Sequence, residues 1–333
     1  MTATPRIASG SYDPGDRSRT APRADAICDD IAVAHAHSTQ VAVPRPYRDE
    51  ADWWRVRALL VETFETARRG LNWDIRRWDG WRYHREAPAG DELLATQIGL
   101  WEAPDGRLLG AVHPEGQGEA YIEIRPEIRS LEPEMVAWAE ARLSVAQDGG
   151  ARRLDFWVDD RDDLRRSLLA ERGCQVLDFG GWLRWLHFGE RALGEPDIAP
   201  PYRLRATRPT DHDYAGLAEL LNLAFGRTIH TALEYRTFAE RSPSFDHELN
   251  LVAVAPDGSF AAHAGVTYDV ANRHGIVEPV CTHPDHRRHG LASTPRSHRS
   301  RPATASGRTR CTSPAASPTL ITAMPGGASS DRR

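Results

Sequence analysis

Apolar residues recur along this chain with two periods, one helical and one alternating, and their order predicts a mixed fold. In 52–64, Val56, Leu59, Leu60 and Phe64 fall on one face of a helix. The stretch 71–85 is dense in aromatics, with Trp73, Trp78, Trp81 and Tyr83. Runs 96–101 and 108–113 flank Pro104-Asp105-Gly106, the signature of a strand hairpin, and 120–125 alternates as a strand. Met135, Trp138, Ala139 and Leu143 mark one face of a helix over 132–147. A strand over 153–158, a helix over 162–172 stopped by Gly173, and two closing strands around Gly180-Gly181 within 175–188 complete the first series. After a proline-bearing stretch, the series restarts. A strand at 202–206 precedes helices at 213–225 and 232–240, and strands at 249–255 and 260–270 flank Pro256-Asp257-Gly258. A last strand covers 275–282, and Pro279 within it requires an edge that lacks a ladder partner.

The two series mirror each other. Ala103-Pro104-Asp105-Gly106 recurs as Ala255-Pro256-Asp257-Gly258, and Arg125-Pro126-Glu127-Ile128-Arg129 recurs as His283-Pro284-Asp285-His286-Arg287. Continued without gaps, this register sets Gly290 against Glu132 and Ala292 against Glu134. The second copy thus has small residues where the first has carboxylates. Its loop reads Arg287-Arg288-His289-Gly290-Leu291-Ala292, an Arg-x-x-Gly-x-Ala pattern after a strand. Such a loop suits a diphosphate. Gly290 and Ala292 let main-chain N–H groups approach, and Arg287 and Arg288 supply charge.

That loop, in that context, resembles the acyl-CoA loop of the GNAT N-acetyltransferase superfamily, and the order of elements in 41–190 resembles a complete domain of that family. The resemblance implies an α/β (α+β) fold of tandem domains, similar in organisation to mycothiol synthase. Each domain is a mixed, mostly antiparallel sheet flanked by helices. The expected divisions are a disordered segment over 1–40, a degenerate domain over 41–190, a linker over 191–201 and an acyl-CoA-binding domain over 202–292. The resemblance further implies transfer of an acetyl group from acetyl-CoA, as co-substrate, to a primary amine of a small molecule or peptide. Val280 and Thr282 would flank the main-chain donor to the thioester carbonyl. Arg287, Arg288, His289, Gly290, Leu291 and Ala292 would hold the cofactor, and Glu278 would act as general base or water positioner. The general-acid tyrosine expected late in the domain has no counterpart, since no tyrosine follows Tyr268. The alternative is an inactive GNAT-derived protein that binds CoA or a partner. With carboxylates at its loop positions, the first copy is expected not to bind CoA.

Composition bounds the rest. All 42 basic residues are arginine, which with abundant Ala, Gly and Pro suggests a GC-rich, bacterial coding sequence. Cys28, Cys174, Cys281 and Cys311 form no disulfide framework and fit a reducing cytoplasm. Cys281 reads as a buried strand cysteine rather than a nucleophile. With Asp285, His283, His286 and His289 it offers potential metal ligands, but the spacing matches no zinc finger and no metal is expected. A net charge of −5, and no long apolar run, argue against nucleic-acid and membrane partners, leaving a cytoplasmic monomer or homodimer. The pattern breaks after the loop. Pro295 would fall in the first turns of the helix that a phosphate loop requires, at a cost of about 3 kcal/mol. No Val, Phe, Tyr or Trp occurs in 293–333. This tail has seven arginines and one acid, against 35 arginines and 46 acids before it. It is read as disordered and out of frame rather than as a nucleic-acid arm.

Overall fold

The computed structural model describes residues 42, 44–67, 70–187, 198, 200–291 and 304–313, and of these only the backbone at 179, 180, 182, 304–308 and 310–313. The segment 1–40, most of the linker 191–201 and the position of Ala292 lie outside the described residues.

The first half opens with β1 (Arg45–Pro46), α1 (Glu50–Thr63), α2 (Ile75–Tyr83) and α3 (Asp91–Gln97). Asp49 starts α1 by accepting from the amides of Ala51 and Asp52. Strands β2 (Gly99–Glu102), β3 (Leu108–His113) and β4 (Glu119–Ile124) form an antiparallel meander. Next come a 3₁₀ turn, α4 (Glu132–Leu143), the short β5 (Val145–Ala146), β6 (Arg152–Asp159), α5 (Asp163–Glu171) and β7 (Gln175–Leu183). The pairing of β4 with β6 is parallel and limited to Glu119↔Asp155 and Ala120↔Phe156. Beyond those two pairs the ladder stops, and among the described residues the Ile122–Ile124 end of β4 has no strand beside it on that side.

The sheet has a helix layer on each face. Met135, Val136, Ala139 and Leu143 of α4 pack with Val112, Ile122, Ile124 and Phe156. On the other face, α1 and α2 bring Trp53, Trp78 and Trp81 against Leu100, Ala111 and Tyr121. Trp53 stacks on Trp78 at 4.0 Å with both rings fully buried. The aromatics of 71–85 are therefore core.

The second half contains β8 (Arg203–Ala206), α6 (Asp211–Phe225), α7 (Ala232–Arg241), β9 (Asn250–Val254), β10 (Phe260–Asp269) and β11 (His274–Thr282). Thr210 caps α6, which ends at Gly226 in the left-handed region (φ +62°). These strands form a separate antiparallel sheet in the order β11-β10-β9-β8. Its Leu217, Leu221, Tyr235, Val252 and Phe260 make one core. The opposite face is lined by Ala253, Ala255, Ala261 and Ala262, with Leu291 packed on them. In the first half, α4 covers the corresponding face; in the second, residues 292–303, directly after Leu291, lie outside the description.

Three readings of the sequence are revised. The residues of 175–188 that are described give one strand, β7, not two. The slot beside it is taken by β12 (Thr304–Ser313), which runs antiparallel to both β6 and β7. That placement also corrects the expectation that all of 293–333 is without structure. Finally, α4 stops at Leu143 and the chain enters β5, so the predicted helix over 132–147 is four residues too long.

Candidate functional site: the edge of β11 and its loop

Strand β11 is the edge of its sheet and, among the described residues, pairs with β10 alone. Pro279 lies in this edge strand at a position for which the ladder has no partner, so its missing N–H breaks no pairing. The register with β10 shifts between Ala264 and Val266, so a bulge at Glu278-Pro279 faces Gly265. A Cβ on Gly265 would approach Asn250 Oδ1 to 2.8 Å and the Glu278 carbonyl to 3.0 Å, which explains the glycine.

The phase of the ladder decides which amides are available. His283 N–H donates to Ala261 O at 2.8 Å. By antiparallel alternation, 283↔261 and 281↔263 are then the hydrogen-bonded pairs, and Val280 and Thr282 turn their N–H and C=O groups away from β10. The sequence reading set the carbonyl donor between these two residues. The ladder instead turns the Cys281 amide inward and presents the amides of Val280 and Thr282 themselves.

The first half has the same strand phase and a different outcome. Arg125 N–H donates to Leu109 O at 3.0 Å, so Ile122 and Ile124 of β4 face outward in the same way. Both are sealed by the chain itself. The Asn72 side chain accepts from Ile124 N–H (2.9 Å) and donates to Ile124 O (3.0 Å). Arg165 of α5 donates to Ile122 O and to Leu71 O, each at 3.3 Å. The two carboxylates that replace small loop residues are also engaged. Glu132 is wholly buried between Arg129 (2.6 and 3.0 Å) and Arg165 (3.1 and 3.2 Å), and Glu134 accepts from the Trp101 indole at 2.9 Å. Burial pushes the Glu132 carboxyl up, but Arg165 and Arg129 outweigh it and hold the group below its ordinary range.

In the second half, the loop after β11 makes a short 3₁₀ turn (Pro284–His286) and then two left-handed residues, Arg288 (φ +69°) and Gly290 (φ +76°). Arg287 is tied back, donating to Ala224 O at the end of α6 (3.0 Å) and to Thr282 O (3.5 Å). His286 Nδ1 lies 3.0 Å from the Tyr202 hydroxyl, and the His289 ring lies edge-on to Tyr202 at 5.9 Å. Arg288, His289 and Gly290 are exposed, while Leu291 rests on the alanine face. Glu278 is exposed on the strand, and its carbonyl accepts from Arg76 Nε of α2 at 3.4 Å. The structure thus sets Val280 and Thr282 on the outer edge of β11 with Glu278 at the bulge before them, while the loop that follows leaves Arg288, His289 and Gly290 exposed, ties Arg287 to α6 and rests Leu291 on the alanine face.

Cys281 points into the core, and burial pushes its thiol up to about 11, which makes it a packing residue. Its cross-strand neighbour His263 forms no dyad with it. One ring nitrogen of His263 faces Leu251 O (3.0 Å) and the other the Tyr235 hydroxyl (3.2 Å). Cys281, Asp285, His283, His286 and His289 do not converge on a point that an ion would occupy.

No family model and no curated protein matches the sequence. Solved structures do match. A GCN5-related N-acetyltransferase from Sphaerobacter thermophilus aligns over 80% of this chain and 94% of its own, at 16% identity and a TM-score of 0.50. A tandem GNAT protein from the clavulanic acid biosynthesis pathway aligns over 75% of this chain and 81% of its own, at 18% identity and a TM-score of 0.43. The first likeness shows the fold: the chain has the architecture of the GCN5-related N-acetyltransferases. Among the described residues, no helix is long and apolar enough to cross a membrane.

Proposed function

We propose that this chain is a GNAT-type acyltransferase that binds acetyl-CoA along the open edge of β11 and transfers its acetyl group to a primary amine of a small molecule or peptide. One contrast carries the reading. Identical strand positions are sealed by Asn72 and Arg165 in the first half and, among the described residues, lie on a sheet edge with no paired strand in the second. The left-handed residues at 288 and 290 turn the chain directly after that edge, where a diphosphate can meet main-chain N–H groups. Arg288 and His289 face the ligand. Arg287 acts indirectly, bracing the loop on α6. Ala292, part of the proposed cofactor loop, lies outside the described residues.

In the transfer step, the amine nitrogen forms a C–N bond to the thioester carbonyl carbon. The carbonyl oxygen is held by the Val280 or Thr282 amide. The C–S bond breaks and the thiolate takes a proton to leave as free CoA, while the proton lost by the amine passes to Glu278 directly or through water. A cytoplasmic setting and a monomer or homodimer complete the reading. The acidic balance of the body gives no reason to propose nucleic acid or membrane as a partner.

Calorimetric titration of the whole chain with CoA is expected to show one site per chain. Gly290→Val should weaken it about a hundredfold, because a β-branched residue in the left-handed region costs about 1–2 kcal/mol and its side chain occupies the phosphate approach. Two sites per chain, no binding at millimolar CoA, or unchanged affinity in the variant overturns the assignment. Glu278→Gln is expected to slow acetylation of an amine panel while leaving CoA affinity intact; equal turnover removes Glu278 from the mechanism.

A second reading has its own observation. Residues 269–333 contain no tyrosine, and the buried Tyr235 hydroxyl is engaged by His263, so Tyr235 is not free to protonate the leaving thiolate. A chain that binds CoA with the expected stoichiometry yet transfers to no amine is the inactive alternative.

A further inference from the structure

The two halves meet at a cluster that the acyltransferase reading does not use. His84 follows the end of α2. His230 precedes α7, and Glu234 lies in its first turn. His84 Nδ1 lies 2.5 Å from Glu234 Oε1, and His230 Nδ1 lies 3.3 and 3.2 Å from the two oxygens of the same carboxylate. One ligand atom from each residue can be chosen so that all lie within 4.8 Å of one another. We propose that His84, His230 and Glu234 form a transition-metal site, suited to zinc, that clamps the first half to the second.

The donor set fits. Two imidazole nitrogens and one carboxylate are ordinary zinc ligands and leave a fourth tetrahedral position for water. Zinc–ligand bonds near 2 Å set donors a little over 3 Å apart in a tetrahedron. The carboxylate's spacing from His230 already matches, and the His84 hydrogen bond needs only to open slightly.

Each ligand is fixed by other contacts. The His84 ring stacks on Phe238 at 4.9 Å and meets Tyr235 edge-on at 5.8 Å. The backbone of His230 is held on both sides by the Asn222 amide, which accepts from its N–H (3.0 Å) and donates to its carbonyl (2.8 Å). Glu234 is held by the reciprocal cap with Thr231, whose hydroxyl also reaches Glu86 of the first half at 2.8 Å. The three side chains are only 18%, 12% and 11% exposed, so an ion would be largely shielded from water. Ligands separated by 150 positions explain why sequence spacing gave no sign of a metal.

The test uses the whole chain, stripped with chelator and titrated with zinc chloride alone. Calorimetry is expected to show one ion per chain, and the thermal midpoint should rise with zinc concentration. His84→Ala and His230→Ala should each weaken binding at least about tenfold. His286→Ala, in the loop after β11, should leave it unchanged. The tetrahedral visible spectrum of the cobalt-substituted protein should appear in the wild type and vanish in His84→Ala. Absence of zinc binding, or binding that survives both alanine variants, overturns the proposal.

Discussion

Replacing Arg165 with methionine is expected to lower the unfolding free energy by about 3–5 kcal/mol, the usual cost of stranding a buried charge. Arg165 and Arg129 share Glu132 and Asp162, and the side chains of Arg165 and both acids are 4% exposed or less. The four charges balance. Removing one cation leaves two buried carboxylates with a single guanidinium, and also frees the Leu71 and Ile122 carbonyls. Burial alone pushes Asp162 up, and Arg165 with Arg129 outweighs it, so losing Arg165 reverses much of the stabilisation of the ionised form. Adding Glu132→Leu to Arg165→Met should recover most of the loss, because an apolar replacement of a buried pair is often neutral. Urea unfolding of the wild type, the single variants and the double variant measures the coupling. A single variant within 1 kcal/mol of wild type would show that the cluster does not hold the first half closed.

That same cluster marks where sequence reasoning succeeded and where it ended. Gap-free alignment of the repeats, continued from Arg125 and His283, set Glu132 against Gly290, and the structure gives the carboxylate a buried, fully paired position. The sequence could not show that Asn72, some fifty residues away, supplies the groups that seal Ile124. Local periodicity carries helices such as α1, α4 and α6, because their apolar faces recur within a few residues. It also marked Pro279 as a break in the ladder, since a missing N–H is a property of one residue, and the structure meets it with a bulge.

What periodicity cannot carry is pairing at long range. β12 has few of the β-branched and aromatic residues that mark strands. Its place between β6 and β7 is set by two strands more than a hundred residues away. The site shows the same limit. Residues 280–291 are contiguous, so the loop was legible. The choice of outward-facing amides depended on a bond between His283 and Ala261, and ladder phase follows from pairing rather than from composition. The anchoring of Arg287 on α6 was likewise invisible, since an arginine in a basic loop looks the same whether it meets a phosphate or a helix end.

Stability of the wild-type protein is expected to fall by about 3 kcal/mol as pH drops from 6.5 to 4, through His263. This side chain lies in the second-half core. Burial, chiefly, lowers its pKa from 6.5 to about 4, and the Leu251 carbonyl only partly offsets the shift. Arg76, from the first half, adds a repulsive positive charge. The sign follows from which state takes up the proton first. Below pH 6.5 the unfolded chain binds a proton at this histidine while the folded chain stays neutral, so acid favours unfolding until the folded form titrates near pH 4. His84 is also lowered by burial and adds a contribution of the same sign. Glu234, held near 2 by His230 and His84 against the opposing effect of burial, extends the loss from its ordinary 4.5 down to about 2. His263→Gln keeps a side chain able to bond the Leu251 carbonyl and the Tyr235 hydroxyl but cannot titrate. Its unfolding free energy, measured in urea from pH 7 to pH 4, should therefore fall much less steeply than that of the wild type. Equal slopes in the two proteins would mean that His263 takes up its proton in the folded state as readily as in the unfolded one, which a side chain enclosed by α7 and the sheet cannot do without opening the core that carries β11.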